Sequence, residues 1–164
     1  MWSLDAGTEL DPGTRWKPIA TDDLGQITAL NASGALWTGT ERLALTPADA
    51  GIDWVGVIGG GVSGIRADGS IWLGGARAGA DTDWLTGASG GGSTFAIKRD
   101  GSLWSLDSTS TWTRVGSAVG WTAVAPADQH TLGLRGDGSM WVWGEDNYGQ
   151  LGDGLPAQAV RFAP

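Results

Sequence analysis

In the stretch STFAIKRDGSLWSL, Ser93–Leu106, apolar Phe95 and Ile97 alternate with Thr94, Ala96 and Lys98. A period of two belongs to a half-buried strand, whose successive side chains face opposite sides. Asp100-Gly101 follows and predicts a two-residue hairpin turn with positive φ at its central pair. Leu103 and Trp104 begin the return strand. The nearest approach to a helix, GTERLALTPADAG, contains Pro47 and lacks a clear apolar face.

The same hairpin returns along the chain as SGALWTG, DGSIWLG, DGSLWSL and DGSMWVW, and MWSLD at the start is its second half. The tryptophans of these phrases are Trp2, Trp37, Trp72, Trp104 and Trp141, spaced 32 to 37 residues apart. A second series, Trp16, Trp54, Trp84 and Trp121, precedes the first by 18 to 21 residues. One unit therefore reads: Trp strand, glycine-rich break, alternating strand, Asp-Gly turn, second Trp strand, polar connection. Units of this length, built of short hairpin-linked strands, predict an all-β fold, a β-propeller of short four-stranded blades. The phrases give about four full blades plus an N-terminal half blade. One domain spans 1–164, with units near 1–15, 16–53, 54–83, 84–120 and 121–164. Both tryptophan series are expected to wedge between blades.

Composition fits that architecture. Twenty-nine glycines serve many turns, and 11 tryptophans against two phenylalanines and one tyrosine make indole the main aromatic packing unit. A net charge of −8, with Lys17 and Lys98 the only lysines, argues against nucleic acid, whose phosphates need a basic face. It also disfavours an anionic membrane surface. The absence of cysteine excludes disulfides and thiolate metal sites. Neither a signal peptide nor a transmembrane segment is visible in the sequence. The compartment is left open by the sequence, a cytoplasmic and a virion-associated setting both being compatible with it.

The stretch WVWGEDNYGQLGDG resembles the regulator-of-chromosome-condensation repeat family, in which a strand ending Trp-Gly is followed by Asn and then Gly-Gln-Leu-Gly. Trp143, Gly144, Gly149, Gln150, Leu151 and Gly152 match; Asp146 stands at the usual Asn, and Asn147 follows it. Upstream, Trp121, Val124, His130, Thr131, Leu132, Leu134, Asp137 and Gly138 fit a second family phrase, with Ala127 replacing a glycine. The histidine position holds Gln26 in the first unit and Ser93 in the third, and the Gly-Gln-Leu-Gly loop occurs once. The resemblance implies a propeller. The family's common ring has seven blades, and its best-known activity is nucleotide exchange on a small GTPase bound to chromatin. The exchange insertion is not recognisable here and the charge is wrong for chromatin, so that activity does not carry over. Other members are interaction modules, including virion and secreted proteins.

Candidate chemistry is thin. His130 is the only histidine, without a nucleophile elbow for a triad, and its repeat position implies a bond to a neighbouring backbone group. Asp81–Asp83 and the Gly-Asp-Gly at 152–154 supply oxygens, yet neither has the pattern of a calcium loop. Gly59–Gly61 and Gly90–Gly92 lack the Lys-Ser or Lys-Thr of a phosphate loop. No catalytic residue, metal or cofactor is expected. Gly149 and Gly152 predict a tight chain reversal, with Gln150 tying the loop through its amide. Trp143 and Tyr148 are the residues expected to be exposed for partner contact.

These readings converge on a non-catalytic structural or protein-interaction propeller, set in a larger assembly such as a phage or virion particle. The alternative is a carbohydrate-binding propeller. A protein partner is expected, a second copy of the chain among the candidates. An open arc would expose strand edges, which proteins avoid. The half-unit around Trp2 is expected to meet the C-terminal strand AQAVRFAP and close a ring within one chain; joined arcs from two or more chains are the competing arrangement.

Overall fold

A computed structural model describes residues 15–21, 25–40, 43–48, 51 and 53–145. Among them are fifteen strands in four antiparallel sheets and no helix. The first sheet runs β1 (Trp16–Thr21), β2 (Gln26–Asn31), β3 (Leu36–Thr40) and β4 (Leu43–Pro47). The second holds β5 (Trp54–Val57), β6 (Gly64–Arg66), β7 (Ile71–Leu73) and β8 (Ala76–Arg77). The third holds β9 (Trp84–Gly90), β10 (Ser93–Lys98), β11 (Leu103–Leu106) and β12 (Trp112–Arg114). The fourth holds β13 (Trp121–Pro126), β14 (His130–Arg135) and β15 (Met140–Gly144). Strand order follows chain order in every sheet, so each is a meander and each is a propeller blade. The blades begin at the four tryptophans that the spacing singled out. Trp2, the half-unit around it and AQAVRFAP lie outside the described residues, as do Tyr148, Gly149, Gln150, Leu151 and Gly152.

The Asp-Gly turns differ from expectation. In the third blade the Gly101 N–H bonds the Lys98 carbonyl at 2.9 Å and the Lys98 N–H bonds the Ser102 carbonyl at 3.0 Å. The loop is therefore three residues, Arg99 to Gly101. Gly101 has φ +78°, while Asp100 is not among the residues of positive φ. This is a type I turn followed by a left-handed glycine bulge, not a two-residue primed turn. Side chains decide the choice: the Asp100 carboxylate accepts from the Ser102 N–H and hydroxyl, holding the shape that the bulge needs.

Each such turn also clamps the next blade. The N–H groups of Trp54, Trp84 and Trp121 donate to the carbonyls of Gly34, Gly69 and Gly101 at 3.1, 3.2 and 3.0 Å. A Cβ on Gly101 would meet the Gly120 backbone nitrogen at 2.6 Å, so this close approach needs glycine. In each blade a bulge lies beside the first-strand tryptophan, and in the second, third and fourth blades that ring packs on the preceding blade.

Among the described residues the core forms three inter-blade layers. Leu30 and Leu36 of the first blade receive Trp54 of the second. Ile65 and Ile71 receive Trp84, and Ile97 and Leu103 receive Trp121. Burying an indole removes roughly 150–250 Å² from water, which at about 25 cal/mol per Å² is about 4–6 kcal/mol per wedge as an upper bound. The wedge role thus falls on the upstream series: Trp54, Trp84 and Trp121 are 1, 0 and 3% exposed. Trp37, Trp72, Trp104 and Trp141, also expected as wedges, are only half-buried. They stand on the third strand of their blades, and Trp72, Trp104 and Trp141 pack against the edge of a layer rather than being sealed in it.

Candidate interaction surface

The third strand's tryptophan belongs to a polar set that the second-to-third-strand hairpin assembles three times. Asp68 accepts from the N–H and hydroxyl of Ser70, and the Ser70 hydroxyl accepts from Trp72 Nε1 at 2.9 Å. Asp100, Ser102 and Trp104 repeat this, with the indole bond at 2.8 Å. Asp137, Ser139 and Trp141 repeat it at 3.0 Å. The serine side-chain bond, then its N–H bond, holds each of these exposed carboxyls below its ordinary value.

Two residues before each aspartate, a cation lies between the two tryptophans of its blade. Arg66 stacks 4.5 and 4.7 Å from the rings of Trp54 and Trp72. Lys98 lies 4.9 and 4.6 Å from Trp84 and Trp104, and Arg135 lies 5.9 and 5.8 Å from Trp121 and Trp141. The cation is in register with the first-strand tryptophan, as the pairs Trp54–Arg66, Trp84–Lys98 and Trp121–Arg135 show. Acids complete two of the cages: Asp53 is 2.7 Å from Arg66, and Asp81 and Asp83 are 2.7 and 3.1 Å from Lys98. The oxygens that suggested a calcium loop at 81–83 therefore serve Lys98. Burial opposes the Lys98 charge, but the bonds to Asp81 and Asp83 outweigh it and raise the ammonium's pKa. Arg135 instead donates to the Val119 carbonyl at 2.8 Å. Spacing carried a signal for these cages, since RADGS, KRDGS and RGDGS place the cation identically. It was missed because only register brings the cation to the upstream ring.

The other end of the blades carries the glycine-rich loops. Between the first two blades it opens a groove of about 620 Å³ lined by Gln26, Thr38, Gly39, Thr40, Thr46, Gly61 and Val62. The Thr28 hydroxyl donates to the Gly61 carbonyl at 2.7 Å and fixes the groove's floor. Most of its lining surface is apolar, with the Gln26 amide and the hydroxyls of Thr38, Thr40 and Thr46 set among it as the hydrogen-bonding groups, and no titratable side chain among the described lining residues.

Two expected residues take different places. Trp143 is buried at 8% exposure, not displayed to a partner. It meets Phe95 at 5.9 Å and Trp121 at 5.8 Å, because its strand faces the third blade there. His130 is half-buried opposite Gly144. The backbone bond in its corner runs from the Ala127 N–H to the His130 carbonyl, and its imidazole makes none among the described residues. Gly144 has φ +123°, and a Cβ there would meet the Gln129 carbonyl, which accounts for glycine at that position.

Residues 128–150 match the Regulator of chromosome condensation (RCC1) repeat. Among solved structures, human WBSCR16 superposes with a TM-score of 0.72 at 14% identity, covering 95% of this chain and 55% of that one. Prp20p from Saccharomyces cerevisiae, in a structure reported with its binding properties to Gsp1p and histones, gives 0.72 at 12% identity, covering 90% and 50%. Yeast RCC1 (Prp20) bound to Kap60 gives 0.65 at 12% identity, covering 97% and 49%. The described blades share the β-propeller fold of these RCC1 structures, and the RCC1-repeat match begins in the fourth blade. The chain spans about half the length of the solved propellers it matches. No curated protein matches the sequence significantly. Among the described residues no helix is long and apolar enough to cross a membrane.

Proposed function

We propose that the chain is a non-catalytic propeller module that binds a protein partner. The observation that carries this reading is the use of the repeated polar residues. The aspartates, serines, cations and tryptophans that chemistry would need are bonded to one another inside the blades. What the blades then offer is a rigid frame with surface loops, the arrangement of binding scaffolds. The RCC1-type structures support it: the reported names place Gsp1p, histones and Kap60 with Prp20. The groove over Gly61 is the contact region we assign, since a polypeptide brings the donors and acceptors that its threonines and Gln26 would meet. A compact, acidic, cysteine-free chain also suits a component of a larger particle such as a virion.

The same hydroxyls and amide favour a second reading, a sugar site. Capture of partners from the native source, with wild type against Thr38→Arg/Thr46→Arg, tests the first. The double variant is expected to weaken the dominant partner by about tenfold or more, equivalent to about 1.4 kcal/mol. Unchanged capture removes the groove from the reading. Saturable binding on a glycan array, lost in the same variant, replaces the protein partner with a carbohydrate.

A further inference from the structure

The groove between the first and second blades lies where an indole sits between the third and fourth. Two residues after the third-strand tryptophan stands Trp143 in the fourth blade and Gly74 in the second. Trp143 is 8% exposed, meets Phe95 of the third blade at 5.9 Å and closes the layer of Ile97, Leu103 and Trp121. Phe95 precedes Ile97 by two residues and so shares its face of the strand. The residue so placed in the first blade is Thr28, two before Leu30. Between the first two blades, Gly74 and Thr28 therefore replace the pair Trp143 and Phe95. Strand length explains the loss. In the fourth blade β15 runs on through Trp143 to Gly144, whereas β7 stops at Leu73. Gly74 and Gly75, with φ +58° and +81°, then turn the chain into β8 as a two-residue hairpin loop. A Cβ at Gly74 would meet nothing within 4 Å among the described residues, so none of their side chains has taken the ring's place there.

We infer that this groove takes an aromatic side chain, an indole first, from the partner polypeptide. The inference names the contact within the protein-binding reading and rests on that reading. The groove continues the first inter-blade layer outward: Val62 packs against Leu30, Leu36 and Trp54 and also lines the groove. Thr38 and Thr46, paired across β3 and β4, form one wall, and Gly61 and Val62 of the second blade form the other. At about 620 Å³ the groove falls within the roughly 300–1,000 Å³ of small-molecule clefts. Its lining is mostly apolar, which suits a ring and disfavours a charged group. None of the lining residues is itself aromatic, so the groove lacks what an incoming ring supplies. The indole N–H is a donor only and needs an acceptor. Thr46 is exposed and its hydroxyl donates to the Thr38 carbonyl at 3.4 Å, which leaves its oxygen lone pairs to accept. Trp and Tyr seated in well-packed pockets are the usual anchors of protein contacts.

The probe is N-acetyl-tryptophanamide, followed on the full chain by nitrogen–proton correlation spectra. It is expected to shift the amides of Gly39, Thr40, Gly61 and Val62 saturably. N-acetyl-leucinamide at the same concentrations is expected to shift them clearly less. Thr46→Trp, which sets an indole on the edge strand of the groove, should abolish the shifts while the dispersed spectrum of the folded blades persists. Thr38→Arg/Thr46→Arg should abolish them too, so the outcome does not hang on one variant folding. No saturable shift with the tryptophan probe, equal shifts with the leucine probe, or shifts that survive both variants overturn the inference. So does a nuclear Overhauser contact in the free chain from a ring in residues 1–14 or 146–164 to the groove, which would make the occupant internal. In each of these cases, loss of partner capture in Thr38→Arg/Thr46→Arg still supports the protein-binding reading. A probe that binds while capture is indifferent to the arginines gives the reverse: it keeps the ring site and overturns its assignment to the protein partner.

Discussion

The hairpins of the first and third blades have nearly the same backbone and opposite side-chain wiring. In the third, Lys98 and Ser102 exchange a 3.0 Å backbone bond and Gly101 takes φ +78°; in the first, Asn31 and Ala35 do so at 3.1 Å and Gly34 takes φ +88°. Both glycines accept the N–H of the next blade's tryptophan. Yet in the third blade an aspartate holds the loop from within, while in the first Asn31 does so from the cation's position. Its side-chain oxygen accepts from the Ser33 N–H and hydroxyl and from the Ala35 N–H. Asn31 takes the cation's register position opposite Trp16, and Trp16 meets Trp37 edge to face at 5.8 Å, as Trp84 meets Trp104 at 6.2 Å. The clamp and the wedge are what the arc requires; the polar set is one of two ways to hold the turn that makes the clamp.

The largest effect should come from the part both blades share. Trp84→Ala removes a fully buried wedge and is expected to cost roughly 3–5 kcal/mol in chemical denaturation. Trp37→Ala, from a half-buried site in the first blade, should cost clearly less. Equal losses would mean that the two tryptophan series do the same work. Trp84 and Trp121 leave their indole N–H groups without a bond, so the wedge contributes through contact area rather than hydrogen bonding.

What the sequence made legible follows the same division. The blade period, the start of each blade and the clamp glycine are written in spacing, because Trp and Gly recur where each blade must meet the next. The roles of the two tryptophan series were not legible, since both sit in alternating strands and only blade stacking decides which one is sealed. Trp143 stands outside the two regular tryptophan series, so its spacing gave it no place in the packing; the ring meets Phe95 and Trp121 instead. The turn type was misread because Asp-Gly serves two turns, and the choice rests on a bond from Ser102 to Asp100 that dipeptide statistics do not contain.

An exchange of one hydroxyl tests the wiring. Ser70, Ser102 and Ser139 satisfy the indoles of Trp72, Trp104 and Trp141; the first blade has Ala35 there, and Trp37 Nε1 is buried without a partner. Ser102→Ala strips two bonds from the third blade and should cost about 1–3 kcal/mol. Ala35→Ser supplies the missing acceptor and should gain about 0.5–1.5 kcal/mol. Both are read from denaturation midpoints, with tryptophan emission reporting the indole's new partner. If Ala35→Ser destabilises, Asn31 has shaped its turn so that a hydroxyl at 35 cannot reach Trp37, and the two wirings are not interchangeable piece by piece.

Acid should separate the two blades by the smallest margin, because the carboxylates concerned are fully exposed and screened by solvent. Asp68, Asp100 and Asp137 are held below their ordinary value near 3.8, chiefly by the hydroxyl of the following serine. A carboxyl with a depressed folded pKa contributes stability that is fully present above its unfolded value and fades as pH falls through the folded one. Unfolding free energy should therefore decline as pH is lowered from about 5 to about 2, the window in which the unfolded chain binds the extra protons. Asp100→Asn keeps an acceptor oxygen but cannot titrate, so it should make that decline shallower. The hairpin of the first blade has Asn31, Ser33 and Ala35 in place of cation, aspartate and serine, and no carboxylate to titrate. Asn31→Ala should accordingly lower stability by the same amount at every pH in the window, leaving the slope as it was. A changed slope there, or an unchanged one in Asp100→Asn, would show that the acid response arises outside these hairpins.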